Sequence, residues 1–336
     1  MAIRHLLSIA QLSPQNLAHL VNRSVSFASG DTGRTRSLAG KNIGIYFTGT
    51  STRTRTSFTV AALRSGAGTI TYGSHDLQIA TGETISDTAR VLGGFLDALV
   101  IRTNGSIAEM EAFAQQDEMA IINAMSANEH PTQAIADLST LKETFGRLDD
   151  IHVLYLGEGN NTAASLALAV ALTPGMQLTL VTPEGYGLSD SLLETAQSLA
   201  REHGAGIEHH HDVNRLPVGI DAVYTTRWQT MGVAKAEPGW EAKFAPYSVT
   251  PALMAKVSKP STIFLHDLPA VRGADVFDEV LDGPQSRAFR QARHKLFSAM
   301  AVLEWCVVGA NGIGNTSELR IVAFDLAQSH SGDSRQ

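Results

Sequence analysis

The residues best suited to chemistry in this chain sit close together, in Gly49-Thr50-Ser51-Thr52-Arg53-Thr54-Arg55. An apolar run, residues 42–48, leads into the segment, and a helical pattern over residues 53–65 leads out of it and stops at Gly66. Hydroxyls and guanidiniums at the mouth of a helix suit a phosphate, because free N–H groups and the helix dipole point at the anion. Arginine adds bidentate, charge-assisted bonds. Taken alone, the segment would equally serve as an N-cap followed by a solvated basic turn. Other clusters are weaker. Gly157-Glu158-Gly159-Asn160-Asn161 has the outline of a dinucleotide fingerprint, but Thr162 stands where the third glycine would be, and a lone GxG is a weak signal. Glu184 could mimic a ribose-binding acid, yet that reading leaves the phosphate loop unexplained. His209-His210-His211 would alternate between the two faces of a strand, so they suit a solvated sheet edge better than a metal, and no metal is expected. Cys306 lies on an apolar helical stripe and reads as core.

Around these residues, strand and helix patterns alternate. Strands are expected at 42–48, 68–72, 98–102, 119–124, 151–156, 177–181, 221–225 and 262–265. Helices are expected at 53–65, 84–95, 107–116, 161–172 and 189–203. Parallel strands need crossover connections, so this order predicts an α/β fold of two doubly wound parallel sheets. The seam falls in residues 131–146, where Ile135, Leu138 and Leu141 share a helical stripe and Gly146 supplies the stop. A last helix, 286–306, carries Ala288, Ala292, Leu296, Ala299 and Leu303 at helical spacing, before a polar tail.

Composition narrows the classes. The 336 residues are 43% apolar, enough for about two domains of ordinary size. One cysteine cannot form an internal disulfide, which points to a reducing cytoplasm. The net charge of −7 offers no positive field for a polyanion, so nucleic acid is not an expected partner. No run of about 18 apolar residues is present, so no membrane partner is expected either.

The clusters also occur in a telling order. Ser51-Thr52-Arg53-Thr54-Arg55, His130-Pro131-Thr132-Gln133, Gly157–Asn161 and His266-Asp267-Leu268-Pro269 follow one another as in the aspartate/ornithine carbamoyltransferase family, which the chain resembles over about residues 40–305. Gln78-Ile79, the run at 82–92, Met231-Gly232 and the run at 281–286 resemble its ornithine branch most closely. The resemblance implies carbamoyl transfer from carbamoyl phosphate with no cofactor. Ser51, Thr52, Arg53 and Thr54 would hold the phosphate, and Arg102 would bridge phosphate and carbonyl. His130 and Gln133 would polarise the carbamoyl group. Gln78 would reach into a neighbouring subunit's site, which implies a homotrimer with shared sites. The first domain would be 1–146, completed by 290–336 as the C-terminal helix folds back, with an acceptor domain at 147–289. The chemistry agrees: transfer puts charge on the carbonyl oxygen and then on the leaving phosphate, and Arg53, Arg102 and His130 offer fixed donors at expected strand ends.

The acceptor half departs from the ornithine pattern. Asn161 and Met231 match acceptor-binding positions, and Leu268 lies in the matching loop. However, the usual Asp-x-Trp-x-Ser-Met-Gly is Thr226-Arg227-Trp228-Gln229-Thr230-Met231-Gly232, and the usual His-Cys-Leu-Pro carries Asp267 in place of the thiol. Thr226-Arg227-Trp228-Gln229 also resembles the aspartate branch, where Arg and Gln clamp the acceptor's carboxylates. Lys295 replaces an arginine that helps hold the carbonyl, and Phe47-Thr48-Gly49 replaces Phe-Glu-Lys. The expected acceptor is therefore amino-acid-like and specialised, carbamoylated on nitrogen or oxygen. Ordinary citrulline synthesis, an aspartate-type acceptor and a binding paralogue without catalysis are the alternatives, separable by phosphate release over a panel of acceptors.

Overall fold

A computed structural model describes residues 4–30, 36–229 and 234–309. The chain opens with α1 (Pro14–Ala28), started by the Ser13 hydroxyl, which accepts a hydrogen bond from the Asn16 amide, and by a proline in the first turn. The sequence reading passed over this helix. The first sheet then forms from β1 (Asn42–Phe47), β2 (Gly68–Tyr72), β3 (Ala98–Arg102) and β4 (Ala120–Met125), in spatial order β2-β1-β3-β4 and all parallel. β3 and β4 are buried along their whole length, as their largely apolar sequences require when helices cover both faces. The crossovers are α2 (Arg53–Arg64), α3 (Ile85–Gly93) and α4 (Ala108–Phe113).

α5 (Pro131–Phe145) crosses to the second half and is buried from Pro131 to Leu141. It ends where Gly146 adopts φ 74°, a left-handed conformation that glycine enters without a Cβ clash. The second sheet holds β5 (His152–Leu156), β6 (Gln177–Val181), β7 (Gly206–His210), β8 (Ile220–Thr225) and β9 (Ser258–His266), in order β7-β6-β5-β8-β9 and again all parallel. Its connections include α6 (Asn161–Ala171), α7 (Asp190–His203), α8 (Glu241–Phe244), α9 (Pro251–Val257) and α10 (Asp278–Leu281). β9 starts four residues before the expected strand. Its polar start, Lys259-Pro260, hides it from an apolar-run reading, and its pairing with Ile220 recruits it into the sheet. His209 and His210 close the edge strand β7.

The last helix, α11 (Ala288–Val307), leaves the second sheet and packs on α1, α2 and α5 of the first half. Ion pairs fasten it there. Arg23 of α1 grips Glu304 with two bonds, at 2.8 and 3.2 Å, while Glu143 of α5 receives Arg290 and His294. The sheets, α1, α5, α6 and α11 share one continuous apolar core. Among the described residues, no helix is long and apolar enough to cross a membrane.

Candidate active site

The carboxyl ends of the two sheets face each other across one cleft, with about 580 Å³ of solvent-connected space. In open parallel sheets the strand ends leave loops and helix N-termini free for ligands. Here the turn after β1 supplies Ser51, Thr52, Arg53 and Thr54, and β3 ends on Arg102. The turn after β4 supplies His130 and, one helical turn on, Gln133. The second half contributes Asn160, Asn161 and Thr162 after β5, Thr226, Arg227 and Gln229 after β8, and Asp267, Leu268 and Pro269 after β9. Lys295 reaches in from α11.

The first-half wall is built for an anion. Thr52 stands at the N-cap of α2 and makes no side-chain cap, so the helix's first amides keep their donors for a ligand. Arg102 is buried, and its Nη1 approaches the Thr54 hydroxyl at 3.5 Å. Burial first, and then the neighbouring guanidinium of Arg53, lower its proton affinity to about 10, so it is still charged at neutral pH. Arg53 donates from Nη2 to the Leu268 carbonyl at 2.7 Å, tying the phosphate loop to the opposite half. Leu268 is held in turn: it has φ 53°, and its amide donates to His266 Nδ1 at 2.8 Å. Four cationic side chains line the cleft, Arg53, Arg102, Arg227 and Lys295, against the single carboxylate of Asp267. The site is thus cationic inside a chain of net charge −7.

Behind this wall lies a buried polar network. Lys295 Nζ donates to Gln133 Oε1, and Gln133 Nε2 donates to Asp137 Oδ1 at 2.7 Å. Asp137 also accepts from Gln291 of α11 at 2.7 Å and from the Tyr224 hydroxyl of β8 at 3.0 Å. Burial raises the Asp137 carboxyl to about 7 and lowers the Lys295 ammonium to about 7, the latter helped by Arg102. His130 is pushed well below its ordinary value by burial, Lys295 and Arg102, so its ring is neutral and can donate a hydrogen bond without adding charge. Its amide donates to Ser165 at 2.8 Å, and its Nδ1 faces Thr132 at 3.4 Å.

The second-half wall is a different surface. Asn160 caps α6 with its own side chain, closing that helix end to an anion. Asn161 turns its amide to the Ser126 carbonyl at 2.7 Å. Asp267 accepts from the hydroxyls of Thr162 and Thr226, at 2.9 and 3.0 Å. The Nε of Arg227 is buried without a hydrogen-bond partner among the described residues.

The structure therefore brings together all the sequence-selected residues except three. Gln78 is exposed on a short 3₁₀ turn, its side chain accepting from Thr81 at 2.6 Å, and it does not line this chain's cleft. Thr230 and Met231 lie outside the described residues. Sequence reasoning missed Asn160, Thr162 and Pro269 on the walls and the hub at Asp137. The Gln133–Asp137 spacing of i, i+4 was a visible signal; the partners on β8 and α11 were not.

Two parallel sheets meeting at a cationic cleft, with an amide-and-imidazole wall beside it, suit a group transferase acting on a phosphorylated donor. Residues 4–143 match the family profile of the aspartate/ornithine carbamoyltransferase carbamoyl-P binding domain, and residues 149–306 match the Asp/Orn binding domain of the same family. The chain belongs to the aspartate/ornithine carbamoyltransferase family, and it is a carbamoyltransferase that uses carbamoyl phosphate. It is 37% identical over 310 residues to an ornithine carbamoyltransferase of Caldicellulosiruptor saccharolyticus, covering 91% of this chain and 99% of that one. It is 41% identical over 271 residues to the enzyme of that name from Symbiobacterium thermophilum, covering 80% and 86%. The solved ornithine carbamoyltransferase of Pyrococcus furiosus superposes with a TM-score of 0.85 at 34% identity, covering 93% and 99%.

Proposed function

We propose that the chain moves the carbamoyl group to a specialised amino-acid-like acceptor, and not to ornithine held in the manner of its named relatives. Residues 1–146, completed by α11, serve as the carbamoyl phosphate half, and residues 147–289 as the acceptor half. Ser51, Thr52, Arg53, Thr54 and Arg102 take the phosphate, while His130, Gln133 and Lys295 surround the carbamoyl group. Charge developing on the carbonyl oxygen then meets donors already in place. The acceptor lies against Asn161, Thr226, Arg227, Gln229, Asp267 and Leu268, and Thr230 and Met231 are acceptor-binding residues as well. Gln78 serves a neighbouring subunit in a homotrimer.

The observation that carries the acceptor reading is the Thr226–Asp267 pair. The hydroxyl of Thr226 donates to Asp267 Oδ1 at 3.0 Å, so the wall's carboxylate comes from the β9 loop, where its charge is felt by Arg53, Arg102 and Lys295. An α-ammonium facing Thr226 gains no charge-assisted bond there, a loss worth about 1.5–3 kcal/mol, or about 10–150-fold. An amine beside Asp267 is held in its protonated form, and a protonated amine is no nucleophile. A hydroxyl or cationic group at Asp267 with a carboxylate near Arg227 or Asn161 fits better. Ornithine remains a second reading because the named relatives use that name and because the pocket does retain one carboxylate. Steady-state kinetics decide between them, using carbamoyl phosphate with ornithine, 2,4-diaminobutyrate, lysine, aspartate and hydroxy amino acids. Ornithine should be poor and should improve in Thr226→Asp/Asp267→Cys. A wild-type kcat/KM for ornithine above about 10⁴ M⁻¹s⁻¹, an ordinary enzyme efficiency, would sink the specialised reading.

A further inference from the structure

Gln291 of α11 is fully buried away from the cleft, and both ends of its amide are engaged. Its Oε1 accepts from the backbone amide of His266, at the end of β9, at 2.8 Å, and its Nε2 donates to Asp137 Oδ1 at 2.7 Å. A backbone N–H can only donate, so the amide has one possible sense. Asp137 Oδ1 takes a second donor, Gln133 Nε2 at 2.7 Å, while the Tyr224 hydroxyl holds Oδ2 at 3.0 Å. With two N–H groups on Oδ1, a carboxyl proton belongs on Oδ2, and Oδ1 stays an acceptor in either protonation state. The Gln133 amide is oriented in turn: its nitrogen faces Asp137 and its oxygen faces the Nζ of Lys295.

We infer that Gln291 is a positioning residue for the transfer: through Asp137 it fixes the sense in which the Gln133 amide meets the carbamoyl group. The inference rests on the reading above that places Gln133 beside that group. The i, i+4 spacing on α5 lets Asp137 reach Gln133, but it does not set which way the carboxyl turns. Two groups from outside α5 do that, Tyr224 of β8 on one oxygen and Gln291 of α11 on the other. Gln291 is the one of the two whose own bonds lead back to the cleft. The His266 ring accepts the Leu268 amide on Nδ1 at 2.8 Å, and the Leu268 carbonyl accepts from Arg53 at 2.7 Å. Hydrogen bonds thus join the phosphate cradle, through the β9 turn and α11, to the amide on the carbamoyl wall. Polar groups aimed before the reaction cost no reorganisation when charge develops. A Gln133 amide free to turn over would instead present donor and acceptor in alternation, and part of the population would be mismatched.

Gln291→Met keeps the length and apolar stem of the side chain and removes the amide. Phosphate release would be followed with the acceptor panel above, beside thermal stabilisation by carbamoyl phosphate alone. The variant should keep that stabilisation, because the cradle residues are untouched. It should lose about 10–100-fold in kcat, the scale of a misplaced polarising group. In a Gln133→Ala background the same substitution should change kcat by less than about threefold, since the group it positions is already gone. A role in stability alone would leave kcat of the folded variant within about threefold of wild type, and that result overturns the inference. Losses that multiply in the double variant overturn it too, as does a loss confined to KM for carbamoyl phosphate. Should Gln291→Met fail to fold, Gln291→Asn is held to the same criteria, because its shorter side chain keeps the amide but cannot span both partners. If no acceptor in the panel is carbamoylated, the acceptor reading fails, and the Gln133 side-chain ¹⁵N amide resonance, assigned by its absence from Gln133→Ala, still decides. It should shift when Gln291 is replaced; a resonance that stays in place overturns the inference.

Discussion

Arg53 does two jobs with one guanidinium: it stands at the open N-terminus of α2, and it holds the Leu268 carbonyl of the other half at 2.7 Å. Burial lowers its proton affinity while Asp267 opposes the shift. A phosphate arriving there replaces hydration with a charge-assisted fork. Arg53→Ala should therefore weaken carbamoyl phosphate about 10–150-fold. At a concentration 100 times the wild-type Kd, ligand stabilisation of about 2.7 kcal/mol should fall to about 0.4 kcal/mol for a 100-fold loss. A thermal-shift titration checks this, and an undiminished rise in Tm would show that the cradle is wrongly placed. Residues of this kind were legible in the sequence because their chemistry and their chain position coincide: hydroxyl and guanidinium groups at a strand-to-helix junction. Lys295 was legible only as a replaced arginine. Its proton affinity is lowered by burial and then by Arg102, which is remote from it in sequence.

At the scale of elements, the strands were legible because a sheet covered on both faces needs largely apolar strands, as in β3 and β4, which Arg102 and Asn123 alone interrupt. α1 was missed although Ser13-Pro14 marks its start and Leu17, Leu20, Val21 and Phe27 form its buried stripe. The hub joining α5, β8 and α11 was invisible, because Asp137 meets Tyr224 and Gln291 only after the whole chain has folded. That hub gives a prediction about stability. Three donors converge on Asp137, so Asp137→Ala strands them in the core and should cost about 2–4 kcal/mol. Asp137→Asn keeps an acceptor and should cost less than half of that. The pH dependence has a definite sign. Burial raises the carboxyl in the folded chain from 3.8 to about 7. The protonated form thus contributes stability that is complete below the unfolded value and lost as pH rises through the folded one. Urea denaturation between those limits should show the wild type losing stability relative to Asp137→Asn as pH rises. Parallel pH profiles would remove Asp137 as the cause.

At the scale of the whole molecule, the first half leaves apolar surface uncovered. Leu63 of α2, Ile70 of β2, Val91 of α3 and Phe95 just beyond it are exposed, Phe95 by 67%. β2 is moreover an edge strand of its sheet. Exposed side chains of this size mark candidate interfaces, and the second half carries others at Val218, Val271, Phe277 and Phe289. Gln78 belongs to the same half, is exposed, and is absent from its own chain's cleft. A head-to-tail ring accounts for both facts, since each subunit then lends Gln78 to the next one's site. In such a ring a complete site needs His130 from one subunit and Gln78 from its neighbour. Gln78→Ala and His130→Ala should each abolish most activity as pure proteins. Mixed at equal ratio and allowed to exchange, half the sites receive a native His130, and half of those face a neighbour with a native Gln78. About a quarter of wild-type activity should then return. Sedimentation should give a trimer, and Phe95→Lys should shift it toward monomer with loss of activity. If subunits exchange, shown by mixed-mass trimers in native mass spectrometry, and no activity returns, the site is completed within one chain and Gln78 has no part in it.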